Sequence, residues 1–122
     1  MHFFVRVFAV GETAESTSSL AIMFDEAMVL LSKLPQMFCE PDGSFVWRGQ
    51  EGTQRWQVEG NLIDGGETLF YAEIKGSCPH AELDQLLACL STGISALAFE
   101  WVEQGLVMNE AKFRECIQKR KS

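Results

Sequence analysis

Three consecutive segments between Ser44 and Ser77 alternate apolar with polar residues, and this alternation constrains the fold more than any other feature of the chain. A period of two is typical of a β-strand that buries one face and exposes the other. The apolar set, expected to face a core, consists of Phe45, Trp47, Trp56, Val58, Leu62, Phe70, Ala72 and Ile74. The polar set, expected to face solvent, consists of Arg48, Arg55, Gln57, Glu59, Asn61, Tyr71, Glu73 and Lys75. The segments therefore predict an antiparallel meander with one wet face.

The first turn of the meander sets the expected pairing of its first two strands. A four-residue turn over residues 50–53 places Trp47 opposite Trp56 and Arg48 opposite Arg55. The two tryptophans would then share the buried face, and the two arginines would meet on the wet face.

The second turn is predicted to be a three-residue loop over residues 64–66, with a glycine in the left-handed region. This loop length places Trp56 opposite Ile74 and Gly60 opposite Phe70. A glycine within a strand weakens the strand unless an aromatic ring on its neighbour covers the gap. Gly60 and Phe70 are therefore predicted to pack together.

The segments on either side of the meander predict one more strand and three helices. Residues 3–10 are apolar on both faces, which is typical of a strand that is central or covered on its second face. Apolar residues at helical spacing then run from Leu20 to Leu34, and Pro35 is expected to end this helix.

After the meander, apolar residues recur at intervals of three and four over residues 83–101 and predict a second long helix. Ser77 or Cys78 would cap its start, and residues 91–93 would kink or break its middle. Asn109 is expected to cap a last helix. The order β-α-β-β-β-α-α predicts a single α+β domain over residues 1–122, an antiparallel sheet of about four strands with the long helices packed on one face.

Composition and charge limit the class of partner. With 122 residues, of which 47% are hydrophobic, the chain is long enough for one core. A net charge of -7 disfavours nucleic acid and anionic membranes as partners. No export signal is expected, and we expect a cytoplasmic protein whose scattered cysteines are reduced. These cysteines are Cys39, Cys78, Cys89 and Cys116.

The wet face of the meander carries the leading functional hypothesis, a non-enzymatic interaction module that acts as a homodimer or an adaptor for a protein partner. Its candidate binding residues form a local positive patch with polar neighbours on an acidic chain, which favours a carboxylate or an acidic peptide. They are Arg48, Arg55, Gln57, Tyr71 and Lys75. Phe4 and Phe8 would extend this surface as an apolar interface.

The alternative hypothesis is a small-molecule-binding domain or small enzyme with a pocket between helix and sheet near Cys78 and His80. A helix N-terminus lowers the pKa of a nearby thiol, so Cys78 is a candidate reactive thiolate. His80 lies too close in sequence to face it as a positioned base. We therefore predict no catalytic residue, no metal site and no cofactor.

Overall fold

A computed structural model describes residues 2–13 and 16–121, and its main element is an eight-stranded antiparallel sheet. The strands are β1 (Phe3–Val10), β2 (Thr17–Ser18), β3 (Met37–Cys39), β4 (Ser44–Glu51), β5 (Gln54–Asp64), β6 (Leu69–Ser77), β7 (Leu97–Trp101) and β8 (Leu106–Asn109). The helices are α1 (Phe24–Ser32), α2 (His80–Leu90) and α3 (Glu110–Lys121). Across the sheet the order is β3-β4-β5-β6-β1-β7-β8, and β2 pairs with β1 outside this path.

The predicted fold class is wrong, because the sheet has eight strands rather than about four and the helices are three short ones. The largest error concerns residues 97–101, predicted to end a long helix. α2 instead ends at Leu90, Gly93 adopts a φ of 80°, and residues 97–101 form β7 between β1 and β8. Four of the five β7 residues are buried, and Glu100 is the one polar residue among the five. Periodicity alone does not distinguish such a segment from a buried helix.

The first helix is also shorter than predicted. Residues 17–18 pair with β1, and the following segment carries Leu20 and Ile22 into the core without helical structure. The Ile22 carbonyl accepts a hydrogen bond from the backbone N–H of Leu69 at 2.9 Å, which ties this segment to the start of β6. α1 begins only at Phe24.

The meander forms as β4, β5 and β6, but its first hairpin is two residues out of the predicted register. Trp47 lies opposite Val58 rather than Trp56. The hairpin closes through a two-residue turn in which Gly52 has a φ of 62°, at the position where type II′ turns place glycine. A shift of two residues leaves each side chain on its original face. Trp47 and Trp56 therefore still share a face, with ring centroids 5.0 Å apart.

The second hairpin is four residues out of the predicted register, again an even number. Gly60 lies opposite Ile74 rather than Phe70, and a register shift follows Ile63 before the turn. The aromatic ring that covers Gly60 comes from the other neighbour, because Phe45 lies opposite Gly60 on β4 and a Cβ at Gly60 would overlap its ring. The predicted type of packing is present, with a different partner.

The core lies between one face of the sheet and the three helices. Buried side chains of α1, α2 and α3 join sheet residues such as Val5 and Val58 in one cluster. On α3, Phe113 stacks on Phe99 with centroids 4.4 Å apart and meets Phe3 edge-on at 5.8 Å. The helices thus anchor the C-terminal strands as well as the meander.

The other face of the sheet carries most of the polar side chains, and we call it the open face. The strand pairings place on it Phe4, Arg6, Phe8, Ser44, Val46, Arg48, Gln50, Arg55, Gln57, Glu59, Asn61, Ile63, Tyr71, Glu73, Lys75, Ala98 and Glu100. Among the helices described, none has both the length and the apolar character required to cross a membrane.

Candidate functional site

The structure places all seven predicted binding and interface residues on the open face, but it divides them between two ends of that face. Arg48, Arg55 and Gln57 lie near the β4–β5 turn. Gln57 pairs with Ser77 on β6, and Tyr71 lies six residues from Ser77 along the same strand. At the usual rise of a strand, about 20 Å separate Tyr71 from the position opposite Gln57. Tyr71 therefore does not share a contact site with the two arginines.

The predicted meeting of Arg48 with Arg55 is wrong. Arg48 lies opposite Gln57, and its Nε donates a hydrogen bond to Gln57 Oε1 at 3.0 Å. Gln57 Nε2 in turn donates to Glu59 Oε1 at 3.0 Å. Arg55 lies opposite Gln50 and is exposed, and no hydrogen bond or ion pair joins its guanidinium to another described side chain. Of the two arginines, Arg55 is the one whose full hydrogen-bonding capacity faces solvent.

An ion-pair group that sequence reasoning did not identify occupies the middle of the open face. Arg6 Nε lies 3.1 Å from Glu73 Oε2, and its Nη1 lies 3.4 Å from Glu100 Oε1. The hydrogen bond that Arg6 donates to the Glu73 carboxylate raises the pKa of Arg6, so this cation is retained. Its guanidinium carbon also lies 5.5 Å from the centroid of the Tyr71 ring. Arg6 is thus neutralised within the chain.

The two predicted interface aromatics are partly occupied by neighbours within the chain. Phe8 is only 7% exposed, because Phe70 and Tyr71 cover it with centroid distances of 6.0 and 5.0 Å. The Lys75 ammonium lies 5.4 Å from the Phe4 ring centroid. Phe8 therefore offers little surface to a partner, and the partly buried Phe4 is flanked by a cation.

The end of the β4–β5 hairpin projects beyond its neighbours, and we call residues 48–56 the hairpin arm. β3 pairs with β4 no further than Trp47, and β6 pairs with β5 no further than Gln57. Within the arm, the Trp56 ring lies over Gly49, where a Cβ would overlap it. The absence of a side chain at Gly49 therefore sets the position of the Trp56 ring, which remains partly exposed.

Three surface depressions meet at the hairpin arm. A groove of about 470 Å³ lies between the arm and the start of α2 and is lined by Glu51, Gln54, Arg55, Trp56, Ser77, Cys78, Pro79, His80 and Ala81. A second depression, of about 380 Å³, extends over the open face toward Lys75. A third, of about 320 Å³, includes Arg48 and Gly49. Arg55 and Trp56 line all three.

Trp56 is a candidate functional residue that sequence reasoning assigned only to the core. Its ring packs edge-on against Trp47, which is 1% exposed, but Trp56 itself is only partly buried. The signal that could have located it is the strand glycine at position 49, because an uncovered glycine draws an aromatic ring from the neighbouring strand.

The pair Cys78 and His80 lines the groove but lacks the features of a nucleophilic centre. Cys78 is 3% exposed, and burial raises the pKa of its thiol to about 12. This direction is the opposite of that required by a reactive thiolate. The predicted helix caps are also wrong, because Pro79 occupies the N-cap position and makes no side-chain capping bond. Within residues 2–13 and 16–121, no group of three or more His, Cys, Asp and Glu side chains is arranged to hold a metal ion.

The net charge of the open face is opposite in sign to the net charge of the whole chain. Its cations are Arg6, Arg48, Arg55 and Lys75, and its carboxylates are Glu59, Glu73 and Glu100. The face is therefore weakly positive on a chain with a net charge of -7. Since Glu73 and Glu100 both contact Arg6, the uncompensated positive charge lies toward the hairpin arm.

Comparison of the chain with protein-family models, with curated proteins and with solved structures gives no match. Function is therefore inferred from the surface chemistry of the described residues.

Proposed function

We propose that this protein is a non-enzymatic, cytoplasmic adaptor that binds an acidic segment of a protein partner at the hairpin arm and the adjoining open face. The observation that carries the proposal is that Arg55 and Trp56 line all three depressions around the arm. A ligand seated in any of the three contacts these two side chains.

The chemistry of these two residues supports a protein ligand. Arginine and tryptophan are enriched among the residues that dominate protein interfaces, and tryptophan contributes a large rigid area. A guanidinium also binds a carboxylate through two parallel hydrogen bonds. Arg55 has no such partner among the described side chains, so a ligand carboxylate does not have to displace an existing ion pair.

The distribution of charge supports an acidic segment of limited length. Screening at physiological ionic strength confines charge effects to about 8 Å, so a short acidic segment responds to the arm rather than to the whole chain. The carboxylates elsewhere on the chain repel a long polyanion. We infer that Arg48 and Lys75 support Arg55 in attracting the ligand.

A random peptide display library selected on the full chain tests the proposal. We expect enrichment of Asp- and Glu-containing peptides, and synthetic versions should bind about tenfold more weakly to Arg55→Glu at unchanged fold. Lys33→Glu is the matched control, because it makes the same charge change at an exposed site beside α1. Enrichment without acidic residues, or equal binding to Arg55→Glu, would refute the proposal.

Self-association is tested by sedimentation velocity on the same proteins. A dimer that dissociates on Arg55→Glu would assign the surface to a second copy of the chain and refute the adaptor. A monomer at the concentrations used for binding supports the adaptor.

The groove beside α2 favours a second candidate function, the binding of a small carboxylate-bearing molecule. Its volume of about 470 Å³ lies within the range of small-molecule sites, and Arg55, His80 and Ser77 supply polar contacts. Chemical-shift mapping with a panel of small dicarboxylates tests this candidate. Saturable shifts at Ser77 and Ala81 that disappear in His80→Ala would support it, and shifts confined to the open face would exclude it.

A further inference from the structure

Within the described part of the chain, the outer edge of β4 has no paired strand over the hairpin arm, because the chain before β3 turns away from the sheet. β3 begins at Met37, opposite Trp47. Immediately before it, Gln36 adopts a φ of 64° after Pro35 and turns the chain away from the sheet. Trp47 Nε1 donates to the Pro35 carbonyl at 2.8 Å and holds this turn in place. On the side of β4 away from β5, no strand among the described residues therefore pairs with residues 48–51.

The backbone of this edge has hydrogen-bonding groups that point outward. In a hairpin closed by a two-residue turn, the flanking residues bond to each other, and bonded pairs then alternate along the strands. Glu51 pairs with Gln54 and Gly49 with Trp56 in this way. The intervening residues, Arg48 and Gln50, direct their N–H and C=O groups to the free edge. An open edge of this kind is a template for an added strand.

The two faces of the edge present different chemistry. On the open face, Arg48 offers a cation at the edge, with Arg55 one strand further in. On the other face, Gly49 has no side chain, and the Trp56 ring lies over it. A strand added here places successive side chains alternately beside Arg48 and beside the Trp56 ring.

We propose that the acidic partner segment binds by adding a strand to β4 along Arg48–Glu51, with an acidic residue opposite Arg48 and a large apolar residue opposite Gly49. This inference rests on the proposed adaptor function and specifies its binding mode. Main-chain hydrogen bonds to Arg48 and Gln50 supply affinity, and the alternation of acidic and apolar side chains supplies specificity.

Charge identifies the occupant as an acidic partner rather than a second copy of this edge. Antiparallel pairing of two copies over the whole edge sets Arg48 of each copy opposite Gln50 of the other. The two Arg48 guanidinium groups then become diagonal neighbours at about 7–8 Å. Like charges across adjacent strands are destabilising, whereas an acidic residue in the added strand forms a favourable pair.

Two substitutions at one position test the binding mode with the peptides obtained by display. Gln50→Pro removes an outward N–H that the hairpin does not use, and its ring obstructs the added strand, so we expect at least about tenfold weaker binding. Gln50→Ala keeps the N–H and is the matched control, with less than about a twofold change expected. Circular dichroism and urea denaturation establish that both variants fold.

Amide hydrogen exchange on the wild-type complex provides an independent readout that needs no variant. We expect new protection at the Arg48 and Gln50 amides on peptide binding and little change at Gly49 and Glu51, which already bond within the hairpin. Fast exchange at Arg48 and Gln50 in the complex, or full binding by a folded Gln50→Pro, would overturn strand addition. If strand addition is overturned but Arg55→Glu still weakens peptide binding, the adaptor function stands. If Arg55→Glu has no effect on peptide binding either, both the adaptor function and the binding mode are refuted.

Discussion

The ring of Phe45 over Gly60 provides a quantitative test of the register of the meander. Gly60 is buried on β5, directly opposite Phe45, and a Cβ at this position would overlap the ring. Phe45 is itself 2% exposed, so its ring cannot swing into solvent to make room. We therefore expect Gly60→Ala to be destabilising in the wild type and tolerated when the ring is smaller.

The magnitude follows from two opposing contributions. Replacing glycine by alanine at an ordinary strand conformation stabilises a protein by about 0.4–1 kcal/mol through the unfolded chain. Overpacking of a full core costs about 1–3 kcal/mol. The net expectation for Gly60→Ala is a loss of about 1–2 kcal/mol. In a Phe45→Leu background the added methyl group fills part of the vacated space, and the same change should cost less than about 0.5 kcal/mol.

Urea denaturation of the four proteins of this double-mutant cycle measures the coupling. We expect a coupling free energy of about 1–2 kcal/mol between positions 45 and 60. Gly49→Ala is the matched control, because it overlaps the Trp56 ring, which is partly exposed and able to swing into solvent. This variant should lose less than about 1 kcal/mol. Effects of Gly60→Ala and Phe45→Leu that add within about 0.5 kcal/mol would refute the placement of Phe45 over Gly60.

Three further predictions concern single residues. Gln36→Gly should raise the free energy of unfolding in urea by about 0.5–1 kcal/mol, because the native φ of 64° after Pro35 suits glycine; a loss of stability would contradict this. Burial raises the folded-state pKa of Cys78 from 9.0 to about 12. Above pH 9 the thiol therefore ionises in the unfolded chain but not in the folded one, and the free energy of unfolding should fall by up to about 1.4 kcal/mol per pH unit, with no loss from this thiol below pH 9. In urea denaturation at pH 8–10, the free energy of unfolding should decline less steeply with pH for Cys78→Ala than for the wild type. Equal slopes for the two proteins would exclude ionisation of Cys78 as the cause. Asn109→Ala should cost about 1 kcal/mol and Asn109→Asp much less, since Asn109 Oδ1 accepts the Lys112 backbone N–H at 2.8 Å; equal losses would show that the cap is unimportant.

Apart from Phe70, which was expected in the core but is 49% exposed, the faces of the meander could be predicted from sequence, whereas its register could not. Alternation assigns each side chain to a face, and a slip of two residues leaves that assignment unchanged. The choice between registers depends on which aromatic ring covers which glycine. Phe45 covers Gly60, and Trp56 covers Gly49, and these contacts depend on three-dimensional packing rather than on local pattern.

The C-terminal half shows where local pattern fails. Residues 97–101 are apolar enough for either a helix or a buried strand, and their state is decided by pairing with β1, more than eighty residues earlier in the chain. Asn109, in contrast, was predicted correctly as a helix cap, because capping depends only on neighbouring residues. Sequence distance accounts for the failure at β7, but a local contact is not always predictable, because the α2 cap expected at Ser77 or Cys78 is wrong.

The candidate site was predictable to the extent that it depends on strand alternation. Arg48 and Arg55 lie on the predicted face, but their separation follows from the two-residue turn at Gly52. The open edge of β4 had no sequence signal of its own, because it results from the turn at Gln36, a residue type that seldom adopts positive φ.

The position of β1 between β6 and β7 has a consequence for biosynthesis. This apolar segment leaves the ribosome well before β7, and one of its edges has no partner until residues 97–101 have been translated. At about 5–20 residues per second, the wait is roughly 5 to 20 seconds. During that interval, we expect a nascent chain truncated before residue 97 to engage holdase chaperones through β1, and release should coincide with emergence of the C-terminal hairpin.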